Sequence, residues 1–152
     1  MINLVTLNAE DTKTVSGFIT EMVQGECRPF PPVAGSYVVF LPGNDGRVIQ
    51  VLPETVGLAK GDLTIQYVER APVEGPRTTH ISVETTRSAD EVITAAKEFG
   101  WTARVSNRAA FSVIEVWYED THLIEFIDQD NQPKIRTFAT AESFDRMFGV
   151  AE

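Results

Sequence analysis

The chain repeats itself. Leu4-Val5-Thr6-Leu7 aligns with His80-Ile81-Ser82-Val83 at an offset of 76 residues, and Gly25 aligns with Gly100 at 75. The run DGRVIQV (45–51) aligns with DTHLIEF (120–126), again at 75. A helix of the same type, a matching glycine stop and a matching final strand at one spacing define a duplicated supersecondary unit. Each half reads strand–helix–strand–strand–strand, and residues 53–78 join the halves. With 152 residues and 16.8 kDa, the chain is long enough for one domain with a real core and too short for two large ones.

The elements follow from period and punctuation. Alternation over 2–9 predicts a strand. Val15, Phe18, Ile19, Met22 and Val23 form one apolar stripe at helical spacing, stopped by Gly25. Pro29, Pro31 and Pro32 exclude a helix over the next segment. Runs 36–41 and 47–52 flank PGNDG, a turn signal, and predict a hairpin. Residues 53–61 read as a loop, 62–70 as an extra linker strand, and 71–77 as a Pro/Gly connector. In the second half, 79–85 is a strand. Ser88 and Glu91 form a capping box opening a helix through Val92, Ala95, Ala96 and Phe99 to Gly100. Strands follow at 103–107, 111–119 and 122–128. Phe144, Met147 and Phe148 mark a short C-terminal helix ending at Gly149. Module one therefore spans 2–53, the linker 54–78, module two 79–128 and a C-terminal extension 129–152.

Composition excludes several functions. Lys plus Arg is 13 and Asp plus Glu is 22, a net charge of −9, whose field repels a nucleic-acid backbone. The single Cys27 rules out an intrachain disulfide and a cysteine-built metal centre; it is expected to be buried and inert. No run approaches the length of a membrane helix, and the N-terminus lacks a basic and apolar leader pattern, so a cytoplasmic location is expected. There is no Gly-x-Ser-x-Gly elbow, and LPGNDGRV lacks the lysine of a phosphate-binding loop.

Paired βαβββ modules, with a first-strand histidine in THISV and a last-strand glutamate in DTHLIEF, resemble the vicinal oxygen chelate superfamily. That group includes glyoxalase I, extradiol dioxygenases, and fosfomycin- and bleomycin-resistance proteins. The resemblance covers residues 2–128. It implies an α+β fold in which two curved mixed sheets form one cleft with the helices on their convex side. Period two then sorts the side chains. Val5, Leu7, Ile49, Val51, Ile81, Val83, Ile124 and Phe126 face the helices. Leu4, Thr6, Asn8, Val48, Gln50 and Leu52 face the cleft from module one; His80, Ser82, Glu84, Leu123, Glu125 and Ile127 face it from module two.

The family's divalent metal is typically held from first and last strands, which carries over to Leu4, Gln50, His80 and Glu125. Leu4 offers no donor and Gln50 a weak one. The resemblance therefore implies a protein that binds a small molecule in its cleft without a complete metal site. The alternative is a divalent-metal-dependent lyase, isomerase or dioxygenase using His80 and Glu125, with Gln50 as a weaker ligand. A metal-free enzyme would use His80 with Glu125 or Glu115 for proton transfer. Glu115 shares a strand face with Phe111, Val113 and Trp117; by analogy with Glu125 that face is placed in the cleft, where Glu115 would be a half-buried carboxylate of raised pKa, although an edge-exposed strand glutamate is the commoner case. Trp117, Glu115, Thr6 and Asn8 are the expected pocket residues. Arg28, Arg104 and Arg108 sit near the module entrances, where an anionic substrate could be held, although solvated surface arginines are the commoner case. His122, after a turn, is expected to be exposed. A homodimer is expected, since the family pairs modules across subunits and open sheet edges need cover.

Overall fold

The computed structural model describes residues 2–43 and 45–149. Module one runs β1 (Leu4–Ala9), α1 (Thr12–Val23), β2 (Glu26–Pro29), β3 (Tyr37–Phe40) and β4 (Val48–Pro53). The linker holds β5 (Val56–Lys60) and β6 (Ile65–Glu69). Module two repeats the series as β7 (His80–Glu84), α2 (Ala89–Glu98), β8 (Thr102–Asn107), β9 (Ser112–Tyr118) and β10 (His122–Ile127), and α3 (Gln132–Phe138) and α4 (Ala141–Phe148) complete the chain. The two main sheets have the orders β1-β4-β3-β2 and β7-β10-β9-β8. In each, the first and last strands run parallel and the other pairs antiparallel. The registers are equivalent as well: Leu4 lies opposite Val48, and His80 opposite Leu123. The duplicated βαβββ unit is thus present in topology and in register.

The matching glycines turn out to serve different ends. Helix α1 starts at Asp11, whose side chain accepts from the Thr14 N–H at 3.0 Å, and its left-handed cap is Gln24 at φ 55°. Gly25 is required instead by close approach, since a Cβ there would lie 2.3 Å from the Phe40 carbonyl oxygen. Gly100, after α2, does take the left-handed conformation at φ 74°. The Ser88–Glu91 capping box forms at the start of α2.

Both modules share one core. Val15, Phe18, Ile19 and Met22 of α1 pack with Leu7, Ile49 and Val51 of sheet one and with Val92, Ile114 and Phe126 of module two. Phe18, 3% exposed, sits edge-on to Phe99, Trp101 and Phe126 at centroid distances of 6.2, 5.2 and 5.9 Å. Polar bonds cross the same seam: the Tyr118 hydroxyl donates to the Asn8 carbonyl at 3.0 Å, and Thr85 donates to the Met22 carbonyl.

Two segments differ from the sequence reading, and a third meets it despite its prolines. Residues 56–60 are not loop but strand β5, paired antiparallel with β6, so the linker carries a hairpin rather than one strand. The proline-rich stretch still yields β2, an edge strand whose last residue is Pro29, a position where the missing N–H costs no ladder bond. The extension holds α3 besides the expected terminal helix; Pro133 sits in its first turn, where a proline starts a helix rather than breaking it. Asn44, at the centre of the expected PGNDG turn, lies outside the described residues.

Because Phe18 of module one is enclosed by aromatics of module two, Phe18→Ala should cost about 3–5 kcal/mol. Tryptophan fluorescence, which reports only on Trp101 and Trp117 of module two, should be lost in denaturant together with far-ultraviolet circular dichroism. Two separated transitions would contradict a shared core.

Candidate functional site

The face of sheet two turned away from the helices carries a charged cluster. Cross-strand pairing places Glu125 of β10 opposite Glu115 of β9, and Glu115 opposite Arg104 of β8. Both carboxylates lie on central strands flanked on either side, so they are buried, at 4% exposure for Glu115 and 7% for Glu125. Two acidic groups side by side would repel unless cations intervened. Arg108, in the turn after β8, supplies that cation. Its guanidinium donates to Glu115 at 2.7 Å and to Glu125 at 2.6 Å. Arg104 donates to the other Glu115 oxygen at 2.8 Å, joined by the Trp117 indole N–H at 3.3 Å. His80 Nε2 lies 3.1 Å from the second Glu125 oxygen. Ser106 accepts from Arg108 at 2.8 Å.

This arrangement overturns two expectations. Burial alone would raise the Glu115 carboxyl, but the hydrogen bonds from Arg104, Arg108 and Trp117 outweigh it and hold the group at about 2. Arg104 and Arg108 are not free surface arginines; they neutralise the buried carboxylates. Hydrogen bonding to Glu125 and Glu115 drives the Arg108 guanidinium further up from its ordinary value. Arg28 does remain at the surface, paired with its neighbour Glu26. The carboxylates form the floor and nitrogen-bearing side chains the rim: those of His80, Arg104 and Arg108 are 46, 63 and 38% exposed.

The module-one residues are placed differently. Thr6 donates to Gln50 Oε1 at 3.1 Å, and Gln50 is buried. Asn8 donates to the carbonyls of Pro53 and Val56 at 2.9 and 3.2 Å, pinning the chain between β4 and β5. Leu4 is exposed at the start of β1. It lines, with His80, a groove of about 550 Å³ between the β1 and β7 edges. No hydrogen bond or ion pair among the described residues links Gln50 to His80 or Glu125. Cys27 is a half-buried free thiol on β2, not a fully buried one.

Arg108 also borders an apolar groove of about 650 Å³, walled by Phe111, Ile135 and Phe138 with Phe144, Met147 and Phe148 of α4. Phe111 and Phe138 meet at a centroid distance of 5.6 Å. The groove was not legible in sequence, because α3 brings one wall to it.

His122 is the clearest misplacement. It is 3% exposed, stacked on Tyr118 at a centroid distance of 4.6 Å, with Nε2 2.7 Å from Glu54 Oε1. The apolar neighbours in HLIEF do not distinguish a strand start at the rim from one sealed between modules.

No family model and no curated protein sequence matches this chain. Solved structures do. A possible glyoxalase from Bacillus cereus aligns at 18% identity and a TM-score of 0.51 over 84% of this chain and 97% of its own. The fosfomycin resistance protein FosX from Listeria monocytogenes, in complex with Mn(II) and sulfate, aligns at 13% and 0.56 over 91% of this chain and 96% of its own. FosX from Mesorhizobium loti aligns at 9% and 0.53 over 83% and 88%. The likeness is one of fold, and it is the fold that THISV, DTHLIEF and the repeat imply. Among the described residues, no helix is long and apolar enough to cross a membrane.

The low Glu115 pKa links this cluster to stability. A carboxyl held at about 2 in the folded chain and near 4.5 when unfolded stabilises the fold fully above about pH 4.5 and progressively less as pH falls towards 2. The contribution is on the order of 3 kcal/mol. Urea denaturation at stepped pH should show a steep acid limb that Glu115→Gln flattens; an unchanged limb would place the acid sensitivity elsewhere.

Proposed function

We propose that the protein binds a small organic anion on the open face of sheet two, without a complete metal centre. The observation that carries this reading is Arg108. One guanidinium both neutralises the floor of the charged cluster and borders the apolar groove under α4. A ligand carboxylate can accept from the exposed N–H groups of Arg108 and Arg104. An apolar body attached to it fits the adjoining aromatic wall. Trp117, half-buried beside Glu115, offers a further flat surface.

The residue set argues against a divalent ion held in the family manner. Leu4 has no donor atom, Gln50 Oε1 already accepts from Thr6, and the two Glu125 oxygens are engaged by Arg108 and His80. A guanidinium 2.6 Å from the carboxylate occupies the electrostatic role of a cation there. Two observations favour the second reading, a metal-dependent lyase, isomerase or dioxygenase. His80 and Glu125 converge to 3.1 Å, and the fold is shared with a Mn(II)-bound FosX. In that case Arg108 would have to release Glu125. His80, half-exposed and held by a buried carboxylate, is also placed to accept or give a proton to a bound ligand.

A homodimer belongs to the same reading. Among the described residues the outer edge of β1 is unpaired, and Leu4 on it and Ile2 just before it expose apolar surface that a second copy would cover.

Calorimetric titration with arylalkyl carboxylates and their matched alcohols tests the ligand class. The acids should bind and the alcohols should not. Arg108→Met and the fold-sparing Phe144→Ser should each weaken binding at least tenfold. Equal binding of acid and alcohol would refute the reading. A Tm rise on adding Mn(II) to chelator-treated protein that disappears in His80→Ala would favour the metal enzyme. For the assembly, sedimentation should give a dimer that Leu4→Glu converts to monomer; a monomeric unmodified protein would exclude it.

A further inference from the structure

The modules meet a second time, at a polar pocket of about 480 Å³ that shares no lining residue with the cluster at His80. Glu54 enters it from the end of β4. Glu119 enters from the turn between β9 and β10, and His122 from the first position of β10. One carboxylate oxygen of each glutamate and one imidazole nitrogen lie within 4.8 Å of one another. Glu54 is 8% exposed and His122 3%.

Two atoms in this pocket lack partners. Glu54 Oε1 and His122 Nε2 are buried and make no hydrogen bond, although they sit 2.7 Å apart. The Thr121 hydroxyl, which donates to the Glu119 carbonyl at 3.2 Å, also lies 2.9 Å from His122 Nδ1. In the tautomer that carries the ring proton on Nδ1, Nε2 turns a lone pair toward Oε1, and two buried acceptors in contact favour a cation between them. A cation held between Nε2, Oε1 and the nearby Glu119 oxygen would satisfy both unpartnered atoms at once.

The surroundings suit such a cation. An imidazole whose Nδ1–H is fixed by an oxygen acceptor, leaving Nε2 bare, is the arrangement a metal-binding histidine needs. Glu119 is held still by the backbone N–H groups of Glu10 and Asp11, at 2.8 and 2.7 Å, and its oxygens retain free lone pairs. Arg77 and Arg70 take the other oxygen of Glu54, at 3.2 and 3.7 Å, which turns Oε1 inward. Their charge offsets part of that of the carboxylates. The pocket thus disfavours a hard ion bound by charge alone and favours one that gains from a nitrogen donor.

We propose that Glu54, Glu119 and His122 form a site for a divalent transition ion of the Zn²⁺ class, clamping the end of module one to the β9–β10 turn of module two. It is independent of the reading given to the cleft, and it uses none of His80, Gln50 or Glu125.

The chain has only two histidines, His80 and His122, so side-chain ¹⁵N resonances resolve the sites directly. Zn²⁺ is titrated into chelator-treated, full-length protein. The His122 Nε2 resonance should move and saturate at one equivalent, with a rise in Tm. Both effects should persist in His80→Ala, and zinc affinity should fall at least tenfold in Glu54→Gln and in His122→Gln. The spectrum of the unmodified protein decides the matter even where a variant fails to fold. A His122 Nε2 that is already protonated at pH 7 and unmoved by zinc would overturn the site. So would a response confined to His80.

Discussion

The interaction on which the rest depends is the insertion of Phe18 into module two. Helix α1 has an apolar stripe too wide for its own sheet to cover, and Phe18 extends beyond it to Phe99, Trp101 and Phe126. A helix with a broad apolar face must bury it against a second layer. Here that layer is the other half of the repeat, so neither module closes its core alone. Once both helix-bearing sides are committed to this seam, the opposite faces of the two sheets carry the polar side chains Gln50, Glu115 and Glu125 beside buried Leu52, Val113 and Ile127. The position of the charged cluster is therefore a consequence of core packing.

On the open face of sheet two, burial of carboxylates decides the electrostatics. Glu115 and Glu125 are neighbours on adjacent central strands, and their desolvation and mutual repulsion would empty the site of charge. Arg108 prevents this by bonding to both, and Arg104 and His80 complete the set. All of these groups are held by regular strands or by the short turn at Ala109, which adopts a left-handed φ of 68°. The outcome is a rigid, charge-balanced floor with cationic donors at its rim. A face built this way presents N–H groups outward, which is the chemistry of anion recognition.

The two halves differ in chemistry at positions of equivalent register. Leu4 and His80 occupy equivalent positions, as do Gln50 and Glu125, yet one pair is apolar and neutral and the other ionic. Gln50 is consumed by Thr6, and Asn8 ties down the linker through Pro53 and Val56. Module one has become the side that anchors the hairpin of β5 and β6, and module two the side that carries charge. Glu54 and His122, at the far end of the same two strands β4 and β10, show the reverse case: residues of both modules converging on one pocket.

The sequence by itself determined the repeat, the helix faces and the strand alternation. These depend on local periodicity, which survives in a single chain: Val15, Phe18 and Ile19 read as one stripe, and Ile124 and Phe126 as one strand face. Period two sorted the residues within each strand, and the family resemblance then put His80 and Glu125 on the cleft face, with Glu115 joining them by analogy. Only the tertiary structure decided what those residues touch. Arg104 and Arg108 become partners of Glu115 through a cross-strand register and a turn that no local pattern encodes. His122 becomes buried because the second module closes over the first at Glu54, a contact 68 residues away in the chain. Strand β5 forms only because β6 pairs with it. Local spacing fixes which way a side chain points, whereas charge state, burial and partnership depend on segments brought together from a distance.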